Sequence, residues 1–153
     1  MPTERTRTDD LGLSQGEAGG EPDGRSLVVT VTSFGYKEGP PPPANMVFDV
    51  RFLKNPFWVP ELRVLTGLDG PVREYVMGQG AAGEFVDLVL DLLTRVLPRF
   101  EDNDISEFTI ALGCTGGQHR STALVEVLAA RLQEIFPAYS VRRRHRELGE
   151  ERQ

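Results

Sequence analysis

One cysteine, Cys114, and two histidines, His119 and His145, are the only such side chains among the 153 residues. A lone cysteine excludes an internal disulfide, and neither histidine has the flanking cysteines or acids that a zinc site requires. No metal and no cofactor are expected. Long apolar runs are lacking as well. No stretch approaches the length that crosses a bilayer, and none has the apolar core of a signal peptide, so the expectation is a cytoplasmic protein with no membrane partner. Positive charge is short overall: 17 Lys and Arg against 23 Asp and Glu give a formal net charge of −6. That balance excludes a generally sticky nucleic-acid binder. Beyond Met1, residues 1–25 hold only two large apolar side chains, Leu11 and Leu13, too few to offset the entropy of ordering, and are expected to form a disordered tail.

What is present has an alternating order. Residues 26–33 mix apolar and β-branched side chains as a strand does, a loop follows over 34–39, and Pro40 to Pro43 forbid regular structure. Residues 46–50 predict a short buried strand. Residues 52–70 are loop-like but carry Phe52, Leu53, Phe57, Trp58, Leu62 and Leu65, which favours a functional loop. Pro71 begins a short helix to about residue 77, which Gly78-Gln79-Gly80 breaks. Residues 84–97 predict an amphipathic helix with Phe85, Leu88, Leu92 and Val96 along its apolar stripe and Pro98 at its end. A strand over 108–112, a helix over 121–136 and a strand over 139–142 complete the pattern. This is an α/β fold: a small, largely parallel sheet flanked by helices. Ligands of such sheets sit beyond the strand C-termini, and residues 33–37, 49–51 and 114–120 all fall there.

The loop Cys114-Thr115-Gly116-Gly117-Gln118-His119-Arg120-Ser121 joins a strand to a helix. Glycines let backbone N–H groups turn inward, the helix start adds partial positive charge, and an arginine supplies a two-pronged donor. Thr115, Gly116, Gly117, Arg120 and Ser121 therefore form a candidate phosphate cradle; the plainer alternative is a tight turn that lets strand and helix pack. Cys-x5-Arg-Ser is also the spacing of cysteine-dependent phosphatases. Cys114 is then either a nucleophile with a depressed pKa or a small buried hydrophobe. Such phosphatases need an aspartic acid on a second loop, and no spacing places Asp49 there. His119 either reads a ligand oxygen or caps local backbone. Asp49 and Arg51 share a strand face and either bind ligand or pair with each other, and Lys37 can add a second positive charge. Arg142, Arg144 and Arg146 would share one side of a strand and could track a nucleic-acid backbone. Trp58 and Phe57 read as core or interface rather than as base-stacking platforms.

Several blocks, taken together, are distinctive: residues 33–37 (Ser-Phe-Gly-Tyr-Lys), 47–56 (Val-Phe-Asp-Val-Arg-Phe-Leu-Lys-Asn-Pro), Glu61-Leu62-Arg63, 65–69 (Leu-Thr-Gly-Leu-Asp), 113–121 and Arg144-His145-Arg146. In collinear order over residues 26–148 they resemble the C-terminal domain of the RapZ family of RNase adapter proteins, with residues 149–153 left as a C-terminal tail. Full-length members carry an N-terminal kinase-like domain with a Walker phosphate loop. No Gly-x4-Gly-Lys-Ser/Thr occurs here, so a stand-alone C-terminal module without nucleotide hydrolysis is expected. The resemblance implies the sugar-phosphate-binding fold of phosphofructokinase, small regulatory RNA or a ribonuclease as partner, and a pocket for glucosamine-6-phosphate lined by Lys37, Asp49, Cys114, Thr115, Gly116, His119 and Arg120. At Phe57 the chain departs from the family, which has histidine there. The expectation is a non-catalytic regulatory module holding a phosphorylated small molecule, with a cysteine phosphatase as the alternative and homo-oligomer formation left open.

Overall fold

The structure, a computed structural model, describes residues 26–153. The tail expected over residues 1–25 lies outside the described residues. Five strands, β1 (Val28–Gly35), β2 (Met46–Asp49), β3 (Glu107–Cys114), β4 (Ser140–His145) and β5 (Glu150–Arg152), form one sheet in the order β2-β3-β1-β4-β5. The first four run parallel and β5 is antiparallel to β4. The last residues are thus not a tail. Glu150 and Glu151 pair with His145 and Arg144 across the ladder, a register no apolar pattern announces.

Four helices accompany the sheet: α1 (Pro60–Arg63), α2 (Gly70–Met77), α3 (Gly80–Asp102) and α4 (Arg120–Ile135). The α4 helix packs on β1, β3 and β4, and α2 and α3 pack in turn on α4. Parallel strands buried this way need continuous β-branched or apolar runs, as in the VVTVTSFG of β1. Val29, Val31, Ile110, Leu112 and Val141 from the sheet form one core with Leu124, Leu128 and Leu132 of α4 and Val86, Leu90, Leu93 and Leu97 of α3. Each such side chain stabilises the fold by about 1.5–3 kcal/mol relative to exposure.

The α3 helix corrects two expectations. It begins at Gly80 and continues through Pro98 to Asp102. Leu97 is fully buried and Phe100 packs edge-on to Phe108, ring centroids 4.8 Å apart, so tertiary contacts hold the turn that proline weakens. The buried stripe is also a different one. Ala82, Val86, Val89, Leu90, Leu93 and Leu97 face inward, whereas Leu88 is 70% exposed. Two apolar stripes with helical spacing run along this helix, and only its packing against α4 and α2 decides which is covered. Phe85, on the second stripe, packs instead against Phe48 and Phe52 beside the edge strand.

The segment 52–70, read as a loop, is tightened by two short helical turns. Asn55 caps the first, its Oδ1 accepting from the Phe57 N–H at 3.0 Å, and Pro60 opens α1. The parallel register brings the ends of β1, β2 and β3 level: Gly35 lies beside Cys114, and Asp49 beside Gly113. The C-terminal ends of these three strands therefore lie side by side.

Candidate functional site

From Cys114 the chain turns through residues 115–119 into α4. Gly117 takes φ +75°, where a Cβ would lie 2.6 Å from the Gly35 nitrogen and from Cγ of Glu147, so only glycine fits. The carbonyls of the loop are directed into the scaffold. Thr115 O accepts from the Lys37 N–H (3.1 Å), Gln118 O from the Gly67 N–H (2.8 Å) and Gly117 O from the Thr122 hydroxyl (3.0 Å). At the head of α4, His119 stands in the cap position and its side chain makes no capping hydrogen bond. The first N–H groups of a sixteen-residue helix are consequently left for an outside acceptor.

Above this loop lies a cavity of about 310 Å³. Lys37, Cys114, Thr115, Gly116, His119 and Arg120, all expected at the site, line it. Three cations, Lys37, Arg63 and Arg120, face one acid, Glu38, so the lining favours an anion. Arg120 is only 6% exposed and donates from Nη1 to the carbonyls of Arg51 (3.1 Å) and Leu53 (2.9 Å), which straps segment 51–53 onto the loop. Its Nε and the Nε2 of His119, itself 8% exposed, have no hydrogen-bond partner. Unpaired buried polar atoms cost about 1–3 kcal/mol each, so two beside one cavity mark a place for a polar ligand.

Other expected residues are placed differently. Gly117 and Ser121 sit beneath the lining. Ser121 Oγ is 3.1 Å from Cys114 Sγ, which also accepts from the Gly117 N–H at 3.3 Å. Asp49 and Arg51 lie outside the lining and pair with each other, Nη2 to Oδ2 at 2.6 Å, with the guanidinium 4.1 Å above the Tyr36 ring. The hydrogen bond from Arg51 holds the Asp49 carboxyl below its ordinary range. This is the sheet-edge ion pair left open as the alternative, and Arg51 serves the site through its carbonyl.

The basic run does not present one free row. Arg142 and Arg144 are exposed, but Arg144 pairs with Glu151 at 3.2 Å. Arg146 lies past the strand, bonded to Glu147 and to the carbonyl of Pro40. Arg143 and His145 turn the other way, toward Glu126 of α4. Glu126 stands on α4, 17 residues from Arg143 and 19 from His145, so no local signal shows that pairing.

Sequence reasoning missed Arg63 and Asn55, and set Phe57 and Trp58 aside as core or interface. Trp58 is 73% exposed, and both aromatic rings stand at the cavity mouth. Arg63 reaches them from α1, its Nε donating to Phe57 O at 2.9 Å. Among the described residues no group of three His, Cys, Asp or Glu could hold a metal ion, and no helix is long and apolar enough to cross a membrane.

A family profile described as the RapZ C-terminal domain matches residues 27–149. Curated relatives match most of the chain as well. A "Nucleotide-binding protein" of Nitratidesulfovibrio vulgaris is 46% identical over 125 residues, 82% of this chain and 43% of its own. One of Salinispora tropica is 50% identical over 132 residues, 86% and 43%. One of Ruegeria sp. is 48% identical over 145 residues, 92% and 48%. The chain spans less than half the length of these relatives.

Proposed function

Because the chain belongs to the RapZ C-terminal domain family, we propose that it is a regulatory binding module whose cradle at the head of α4 holds a phosphomonoester. The observation that carries this is the coincidence of an uncapped helix head with a cationic cavity lined by His119 and Arg120, each of which has a buried nitrogen without a partner. The phosphate accepts from the N–H groups of the first turn of α4, while Lys37 and Arg120 neutralise it. An amino-sugar phosphate such as glucosamine-6-phosphate is the ligand that family resemblance suggests. Here Phe57 offers its ring an apolar face where the family has a histidine. RNA is the macromolecular partner suggested by the same resemblance, and the exposed Arg142 supports it.

A second reading, a cysteine-dependent phosphatase, is favoured by one observation: Cys114 and Arg120, the two ends of the Cys-x5-Arg spacing, line the same cavity. Against it, Glu38 is the only carboxylic acid of the lining, and Asp49 is held by Arg51. Calorimetric titration with inorganic phosphate and glucosamine-6-phosphate tests the binding reading. Lys37→Met and His119→Gln are each expected to weaken binding by about tenfold or more, the worth of one charge-assisted hydrogen bond. No binding by the wild type, or affinities untouched by both substitutions, would remove it. Turnover of p-nitrophenyl phosphate that is lost in Cys114→Ser would install the phosphatase in its place.

A further inference from the structure

The phosphate cradle gives no role to Phe57 and Trp58, which line the same cavity. Its mouth is aromatic: Phe57 is 44% exposed and Trp58 73%, with ring centroids 5.7 Å apart in an edge-to-face pair. Both rings line the same cavity as Thr115, Gly116 and Arg120. The guanidinium of Arg63 lies 5.0 Å above the Phe57 ring, and the His119 ring is 6.4 Å from it on the cradle side. Inorganic phosphate held at the helix head makes no use of a flat, open indole.

We propose that this mouth is a stacking platform for a planar heteroaromatic ring, so that the site takes a nucleoside monophosphate, its phosphate in the cradle and its base against Trp58. The proposal rests on the phosphomonoester reading of the cradle. Three observations support it beyond exposure. First, the platform is rigid. Pro56 and Pro60 flank it, Asn55 caps its turn and Arg63 anchors the Phe57 carbonyl, so little conformational freedom is lost when a ring settles on it. Second, it is coupled to the cradle, because Arg120 hydrogen-bonds the carbonyls of Arg51 and Leu53 just upstream. Third, the cavity's 310 Å³ falls at the lower end of the range for small-molecule sites, which suits one mononucleotide rather than a dinucleotide. Base-on-aromatic stacking tolerates any base, so the platform selects for a base over none rather than among bases.

Such a ligand can be a free nucleotide or the phosphorylated terminal nucleotide of an RNA chain, and one experiment separates the two. Trp58 is the only tryptophan of the chain, so intrinsic fluorescence reports on this ring alone. The protein is titrated with inorganic phosphate, ribose 5-phosphate, AMP, UMP, and a tetraribonucleotide with and without a 5′-phosphate, by fluorescence and by calorimetry. Phosphate and ribose 5-phosphate are expected to bind with little change in emission. AMP and UMP are expected to bind about tenfold tighter, as one stacked base contributes, and to quench the indole.

Trp58→Ala is expected to lower AMP affinity to that of ribose 5-phosphate while leaving ribose 5-phosphate unchanged, with partial rescue in Trp58→Phe. Tighter binding of the 5′-phosphorylated tetranucleotide than of AMP assigns the site to an RNA end, and equal or weaker binding assigns it to a free nucleotide. If ribose 5-phosphate binds but AMP binds no tighter, or if Trp58→Ala weakens both equally, the platform is overturned and the cradle stands. If no phosphomonoester binds at all, the cradle reading fails and the platform falls with it. Retained AMP affinity in Trp58→Ala, together with loss of a protein partner, would make this surface a protein-docking patch and overturn the proposal.

Discussion

Replacing Glu126 by alanine is expected to lower the stability of the domain by about 3–5 kcal/mol, the cost of removing one partner from a buried charge cluster. Glu126 is 7% exposed on α4, and its carboxylate accepts from Arg143 Nη1 (2.9 Å), His145 Nε2 (2.8 Å) and Arg152 Nη2 (2.6 Å). A carboxylate can only accept, so His145 donates from Nε2, and its Nδ1 lies 2.7 Å from the Ser33 hydroxyl. The cluster therefore ties α4 to β4, β5 and the central strand. Burial pushes the Glu126 carboxyl up, but the His145 hydrogen bond and the charges of Arg152 and Arg143 outweigh it, and the net shift is downward.

A group depressed in the folded state stabilises at pH above its unfolded pKa, and that contribution is lost as pH falls through the folded value. Urea unfolding at a series of pH values should show stability falling below the ordinary carboxylate range in the wild type. The fall should be shallower in Glu126→Gln, which keeps the shape and loses the titration. An alanine variant as stable as the wild type, or an unchanged acid limb in the glutamine variant, would contradict this account.

Substitution at either glycine of the cradle is expected to weaken phosphate binding, but only one of the two should cost stability. At Gly117 an alanine must adopt a left-handed backbone at a cost of about 1–2 kcal/mol. Its methyl would also meet the Gly35 nitrogen and the Phe34 carbonyl carbon at 2.6 and 2.7 Å, and backbone cannot move aside cheaply. Overpacking of this kind adds about 1–3 kcal/mol, so Gly117→Ala should lower the melting temperature by several degrees and abolish phosphate binding together. At Gly116 a Cβ meets nothing within 4 Å. Gly116→Ala should leave stability within about 0.5 kcal/mol of the wild type. Its methyl stands in the open space of a lining residue, so affinity for inorganic phosphate should drop while the fold is kept. Unchanged affinity in a well-folded Gly116→Ala would show that the anion does not sit on this loop.

Much of this arrangement was legible in the chain before any coordinates. The strand-to-helix loop was readable because glycine pairs and helix heads have local signatures, and the level strand ends followed from the parallel order of the fold. What escaped was set by distant partners. Leu88 and Leu92 satisfied helical spacing as well as Val89 and Leu93 did, and only the position of α4 told them apart. Arg143 and His145 looked like two members of a basic run until Glu126 met them from a helix. Trp58 read as core or interface, and its exposure, which removes the core reading, depends on a turn built from Asn55, Pro56 and Pro60. The short β5 carries no apolar alternation, so its pairing lay beyond pattern reading.

The sheet order has a further consequence, for how the domain folds. The first strand of the domain is the central one, and both of its neighbours, β3 and β4, come from the second half of the chain. No early hairpin can form around it, and its ladder closes only after long loops have been paid for in entropy. Folding should therefore be slow for a chain of this size. The anion cradle, which requires Gly35 of β1 against Gly117 behind β3, should be among the last features to appear.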